Sequence, residues 1–200
     1  MIPSSDEAAR SVAGVLMLLQ RRPQGFALLD ISRDGFFRSF GAFLWCWPAQ
    51  TFLWTLVWRD APEIRPEGLA DYLRFFAIVG LCDIAAWIVP VLVLIPAARI
   101  FGFGKRFTPL IVATNWFGLV AVYIAFIPGV LRLFTPIPVE AGQLLALVFY
   151  GMVIGLYYRV ARMSLGNDPM LAALVTMITL ICGLFISEFA YRLLGAGLGS

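Results

Sequence analysis

Histidine is missing altogether from this 200-residue chain. Its absence removes the commonest metal ligand and the side chain best suited to change charge near neutral pH. Cysteine is scarce. Cys46, Cys82 and Cys182 each lie inside an apolar run and none is paired by spacing, so neither a disulfide framework nor a zinc site is expected; the three read as small apolar packing residues. Charge is sparse as well: 14% of residues are charged, against about a quarter in an ordinary soluble domain. There is no internal repeat, no low-complexity tract and no linker long enough to separate domains. The start lacks the marks of a secretory signal. Asp6 and Glu7 precede the short stretch VAGVLMLL, and QRRPQG follows where a small-residue cleavage site belongs, so insertion by the chain's own helices is expected. No Ser or Cys nucleophile stands beside a base, and the acids form no metal-ligating cluster by spacing. An enzyme, a metal and a cofactor are therefore not expected, nor is a nucleic-acid partner.

What the chain has instead is apolar length. It is 61% hydrophobic, with a mean hydropathy of +0.88. A soluble chain of this size cannot hide that much apolar surface, and several runs exceed the roughly 18–20 residues needed to cross a hydrocarbon core. The expected fold is all-α and polytopic, because backbone polar groups in lipid must be satisfied within the helix. Five spans are predicted, near Phe36–Trp58, Phe75–Arg99, Thr108–Phe126, Ala141–Val160 and Met170–Leu193, as one domain over residues 36–200. Thr108 with Pro109, and Asp168 with Pro169, offer N-caps followed by proline at the first helical position. PIPVEAG breaks the chain before the fourth run. Pro48 and Pro90 fall within runs and should bend their helices.

Residues 1–35 are of another kind. Ser4 and Glu7 stand at capping-box spacing, and Val12, Val15, Leu16 and Leu19 follow an i, i+3, i+4, i+7 pattern. Acids lead and Arg21 and Arg22 close, in keeping with the helix dipole. Pro23 and Gly25 stop the pattern. This reads as an amphipathic helix lying on the membrane or on the protein. A second short piece, GFALLDISRDGFFRSF, leads into the first span.

Basic residues near span ends set orientation. Arg10, Arg21, Arg22, Arg33, Arg38, Arg99, Lys105, Arg106, Arg159 and Arg162 fall on one side; Arg59, Arg65, Arg74, Arg132 and Arg192 fall on the other. Asp60, Glu63, Glu67 and Asp71 make the first loop roughly neutral. A cytoplasmic N-terminus and an outside C-terminus are expected, with Arg21, Arg22, Lys105 and Arg106 at the membrane surface. GFGKRF departs from a P-loop, since Arg99 holds the place of the first glycine and Arg106 that of the Ser or Thr; it reads as a basic turn. Gly151 and Gly155, one turn apart, suit close helix packing, within the chain or across a dimer seam. Trp58, Tyr72 and Tyr191 fit the outer interface, and Tyr157 and Tyr158 the inner one. Trp87 and Trp116 fall deeper, at a helix contact or a pocket.

Asp83, in LCDIAAWIVP, is an ionisable group within a span, as is Glu188. Such groups are costly and usually face the bundle with a partner. At 1.5 Å per residue Asp83 should lie about 12 Å, and Glu188 about 9 Å, from the outer ends of their helices. Gln50 falls at a similar depth, and Arg192 can pair with Glu188 at i+4. Two readings follow: a structural cluster of Gln50, Asp83, Glu188 and Arg192, or a polar pocket for a proton or small ligand open to the outer face.

RRPQGFALLDISRDGFFRSFGAF followed by five closely spaced spans resembles the Yip1-like membrane proteins, especially their small bacterial members. The resemblance is one of layout; the span motifs of the eukaryotic members are missing, so no small-GTPase partner and no functional residue is carried over. It implies a protein of the bacterial cytoplasmic membrane. The function expected is that of a non-enzymatic accessory, scaffolding or assembly subunit, with the lipid bilayer and a membrane-protein partner or second copy as its partners. The alternative is a small transporter or channel component using the layer around Asp83.

Overall fold

The computed structural model describes residues 3–60, 67–135 and 137–195, with the backbone alone at 57–60. The expectations resting on the side chains of Trp58, Arg59 and Asp60, on Glu63, Arg65 and Pro136, and on the C-terminal end lie outside the described side chains and residues. The described chain is helical, with no strand among the described residues. Four helices are long and apolar enough to cross a membrane: α4 (Leu69–Ile100), α5 (Phe107–Phe134), α6 (Val139–Ser164) and α7 (Pro169–Leu194).

Ahead of them lie α1 (Ser5–Leu19), a 3-10 turn (Pro23–Leu28), α2 (Arg33–Ser39) and α3 (Ala42–Asp60). The run predicted to begin at Phe36 is thus split, and the expected domain edge at residue 35 falls inside α2. Ser32 starts α2 by accepting from the Gly35 amide at 3.1 Å. At the break, Phe40–Gly41, Pro3 packs so close that a Cβ on Gly41 would collide with its ring. What remains for α3 is 19 residues, about 28 Å long at 1.5 Å per residue; it is not among the four long apolar helices.

Other boundaries move outward. α4 starts at Leu69 and α5 runs on to Phe134, through Pro128. Prolines 48, 90, 96 and 128 all sit inside helices without ending them. Asp168 caps α7 as expected, with Oδ1 accepting from the amides of Met170 (2.9 Å) and Leu171 (3.0 Å). Thr108 does not cap α5. The helix is continuous from the 3-10 turn Gly104–Arg106, so Thr108 is already inside its first turn.

α5 is the axis of the bundle, flanked by α3 and α6 and touched by α1, α2 and α4. α3 and α5 run parallel: after Ser39 of α2 meets Asn115, the Trp45 carbonyl meets Tyr123 and the Phe52 ring meets Phe126 edge-on at 4.7 Å, all in ascending order. α4 and α7 run antiparallel, since Arg74 Nη2 near the start of one donates to the Leu193 carbonyl near the end of the other (2.9 Å). The α3–α4 contacts (Phe43 with Trp87, Trp54 with Asp83) and the α5–α6 contacts (Phe117 with Tyr157, Arg132 beside Gly142) run in opposite order along the two helices, so successive long helices alternate in direction. The basic residues of the arm, Arg99, Lys105, Arg106, Arg159 and Arg162 gather at one end. Arg74, Arg132 and Arg192 belong to the opposite end.

The core forms two connected parts. One joins Val15 and Leu18 of α1 to Val112, Trp116 and Phe117 of α5 and Val160 of α6. The other joins Leu94, Ala97 and Ala98 of α4 to Leu110 and Ile111 of α5 and Ala172 and Val175 of α7. Burial in α1 is rotated from the predicted stripe. Ala8, Ser11, Val15 and Leu18 are buried, Val12 and Leu19 are half-buried, and Leu16 is exposed. The sequence pattern misses Ser11 because a small hydroxyl fits a close helix crossing that an apolar count does not register.

Candidate functional site

The intramembrane carboxylate has its partners on α3. Gln50 and Trp54 are four residues apart, hence on one face of that helix. Trp54 Nε1 donates to Asp83 Oδ2 at 3.0 Å, and Gln50, one helical turn before Trp54, lies near the same carboxylate. The Trp54 indole is buried and packed edge-on against Trp47 and Phe76. The acceptor is thereby held by a ring with little freedom of its own. Because α4 starts at Leu69, Asp83 lies about 21 Å from that end at 1.5 Å per residue, deeper than the sequence-based boundaries place it.

Glu188 and Arg192 form their own pair on α7, Nε to Oε1 at 2.7 Å. The α4–α7 pairing puts Glu188 level with about residue 79, so Asp83 sits about 6 Å deeper. The four expected polar residues thus resolve into an interhelix contact, Asp83 with Gln50 and Trp54, and a nearer-surface intrahelical pair. Trp54, which completes the first, was not singled out in the sequence. Its signal was available in the i+4 step from Gln50.

A second polar layer lies toward the basic end. Tyr157, expected at the interface, instead turns into the bundle, where its hydroxyl shares a hydrogen bond with Thr179 (2.9 Å) and its ring meets Phe117. Asn115 Nδ2 donates to Ser39 Oγ at 2.9 Å, and Ser39 donates on to the Phe36 carbonyl at 2.7 Å. Asn115, Phe117, Tyr157 and Thr179 border a cavity of about 180 Å³ between α4, α5, α6 and α7, whose wall also includes Trp87, Pro90 and Gly118. Trp116 is buried at a helix contact. Because the polar groups of this layer bind one another, it joins helices rather than offering free donors.

The arm is pinned by charge. Arg38 Nε pairs with Glu7 Oε1 at 3.1 Å, and Arg38 Nη2 with Asp30 Oδ2. Glu7 is therefore committed to Arg38, and only the Ser4 half of the capping box forms, with Oγ accepting from the Glu7 amide at 3.2 Å. Asp30 also accepts from the Ser32 amide at 3.0 Å. Hydrogen bonding by Ser32, then the Arg38 guanidinium, holds its carboxyl below the ordinary value of 3.8. Gly14 and Gly25 let α1 and the 3-10 turn touch: a Cβ at Gly14 would lie 2.8 Å from the Gly25 carbonyl oxygen, and one at Gly25 would strike the Gly14 carbonyl.

The other expected site residues scatter. Arg106 Nη1 donates to the Leu165 carbonyl, closing the end of α6. Lys105 and Arg22 are exposed at the same end. Gly151 and Gly155 are not at a helix crossing: no atom lies within 4 Å of a Cβ built on either. Close packing within the chain is therefore excluded for them as the structure stands. Cys46 is buried and donates to the Ala42 carbonyl at 3.4 Å, while Cys82 and Cys182 are half-buried and free. Comparison with protein-family models, with curated proteins and with solved structures finds no match.

Proposed function

We propose that this chain is a non-enzymatic accessory or assembly subunit of a bacterial cytoplasmic membrane, with the Yip1-like layout of an amphipathic arm before five spans. In this reading α3 is the fifth span, kept short because α2 has been folded back under the arm. The N-terminus is cytoplasmic and the C-terminus outside. The basic excess at the arm's end supports that threading. A fusion at Ser200 should then give alkaline phosphatase activity and no GFP fluorescence; the reverse pattern would overturn the span count or the orientation.

The observation that carries the assembly reading is the uneven covering of the helices. Half of the apolar window of α5 is buried (50%), against 11% for α6. The bare face of α6 bears Leu144, Leu147, Val148 and Met152 around Gly151, and a glycine there permits a neighbouring helix to come close. The polar side chains described above are meanwhile engaged with one another. A photo-crosslinking residue at Leu147 should capture one discrete membrane protein, or a second copy of this chain, in whole membranes. The same residue at Phe185, exposed on α7, serves as the comparison. Adducts with lipid alone at both positions would sink the reading. A transporter component is the second reading, supported by an interior-facing carboxylate in Asp83; it requires proton- or ligand-dependent flux in liposomes.

A further inference from the structure

At the basic end, between the arm and the last turns of α6, the chain encloses an open recess of about 560 Å³. Arg21, Tyr158, Arg159, Arg162 and Asn167 line it together with Gly155. No carboxylate is among its lining residues. Arg106 stands behind it, its guanidinium against Gly166. The nearest acid in sequence, Asp168, is occupied in capping α7.

We propose that this recess binds the phosphate of an anionic phospholipid, whose acyl chain lies along α6. The arginines have a simpler use, which must be weighed first. Arg159 Nη1 donates to the Leu19 carbonyl at 3.1 Å and Arg162 Nε to the Asn167 carbonyl at 3.4 Å. Arg159 thus serves the C-terminal end of α1, and Arg162, in the last turn of α6, ties down the loop that follows it. Each end carries about half a negative charge, so two helix ends balance roughly one arginine. Three arginines line the recess and a fourth adjoins it. The surplus is positive, and each guanidinium has five N–H donors of which those bonds use one. Forked donors of this kind suit phosphate oxygens.

The backbone adds a second observation. Arg21 occupies the position after α1 that closes a Schellman turn: the Arg22 amide donates to the Met17 carbonyl and the Arg21 amide to the Leu18 carbonyl, both at 2.9 Å. Glycine is the usual residue there. Arg21 instead holds φ at 61°, and Asn167, across the recess, holds 67°. A left-handed backbone is strained for arginine, whose Cβ crowds the following carbonyl oxygen. A glycine at position 21 would close the turn without that strain but would leave the recess one cation fewer.

The choice of a lipid over a free phosphate comes from α6. Gly155, Tyr158, Arg159 and Arg162 fall at i, i+3, i+4 and i+7, one continuous face. The arginines hold its end, and directly below them Gly155, which lines the recess, leaves a shallow notch with nothing within 4 Å of its Cβ position. A phosphate in the recess therefore has apolar room directly beneath it, which a soluble anion does not use and an acyl chain does.

The test uses the full chain purified in a neutral detergent and titrated with phosphatidylglycerol or phosphatidylcholine, with bound lipid read by native mass spectrometry. It is independent of threading, so its failure is distinguishable from a failure of the topology fusions. Phosphatidylglycerol should be retained in preference to phosphatidylcholine. Arg21→Gln and Arg162→Gln, which leave the Arg159 tie to the arm in place, should each weaken retention by about tenfold. Gly155→Leu adds bulk into open space, so its melting temperature should match the wild type while lipid retention falls. Glycerol phosphate without acyl chains should not displace the lipid. Equal retention of the two lipids, unchanged retention in the Arg21→Gln/Arg162→Gln double variant, or full displacement by glycerol phosphate would each overturn the proposal.

Discussion

Asp83→Leu should lower the stability of the purified protein by about 1–3 kcal/mol, the cost of leaving a buried donor without its acceptor. The donor is the indole N–H of buried Trp54. Asp83→Asn should melt close to the wild type, because a carboxamide oxygen can still accept from Trp54. A double-mutant cycle tests the contact itself: Trp54→Phe removes the donor, so the effects of Asp83→Leu and Trp54→Phe should fall short of additive. Equal melting of wild type and Asp83→Leu would refute a structural role. If Asp83 is instead a proton or cation site, the asparagine variant should fold normally yet abolish flux, which separates the two readings.

Gly25→Val should detach the arm without unfolding the bundle. A Cβ at this position meets the Gly14 carbonyl, which is backbone and cannot turn aside, and overpacking of this kind costs about 1–3 kcal/mol. Spin labels at exposed Ala13 and Leu131 should report a broadened distance distribution in the variant. Gly68→Ala, which meets nothing within 4 Å, is the control. An unchanged distribution in Gly25→Val would remove the close crossing as the reason for glycine. The same label pair gives the acid dependence. The Asp30 carboxyl is held below 3.8 in the folded chain, so its contribution is complete above that pH and is lost as pH falls through the lower folded value. The distribution should therefore be constant at neutral and mildly acidic pH and broaden only below about 3.8, a response that Asp30→Asn should remove.

Much of this architecture was legible because lipid leaves a chain few options. Long apolar runs must be helices, and Pro169 preceded by Asp168 marks the start of α7 in any setting. Other boundaries were illegible for a stated physical reason. A window over residues 36–58 registers only hydrophobicity, whereas the break at Gly41 lies where Pro3, far off in sequence, packs close. Thr108 has the form of a cap, yet the preceding turn supplies a helical neighbour and makes the cap unnecessary. Tyr157 reads as an interface residue by its depth, but the position of Thr179 on α7 turns it inward.

The sequence by itself determined the helical class, the places of the four long apolar helices though not their full lengths, the crowding of cations at one end and the need of Asp83 for a partner. These follow from local chemistry: backbone hydrogen bonding, the length of apolar runs and the cost of an ionisable group among them. Only the tertiary structure decided which partner Asp83 takes, how α1 is rotated against the bundle and that Arg21, Arg159 and Arg162 share one recess. Those outcomes depend on which helix faces meet, and a face is fixed by its neighbours, through contacts such as Ser39 with Asn115 that no spacing along the chain encodes.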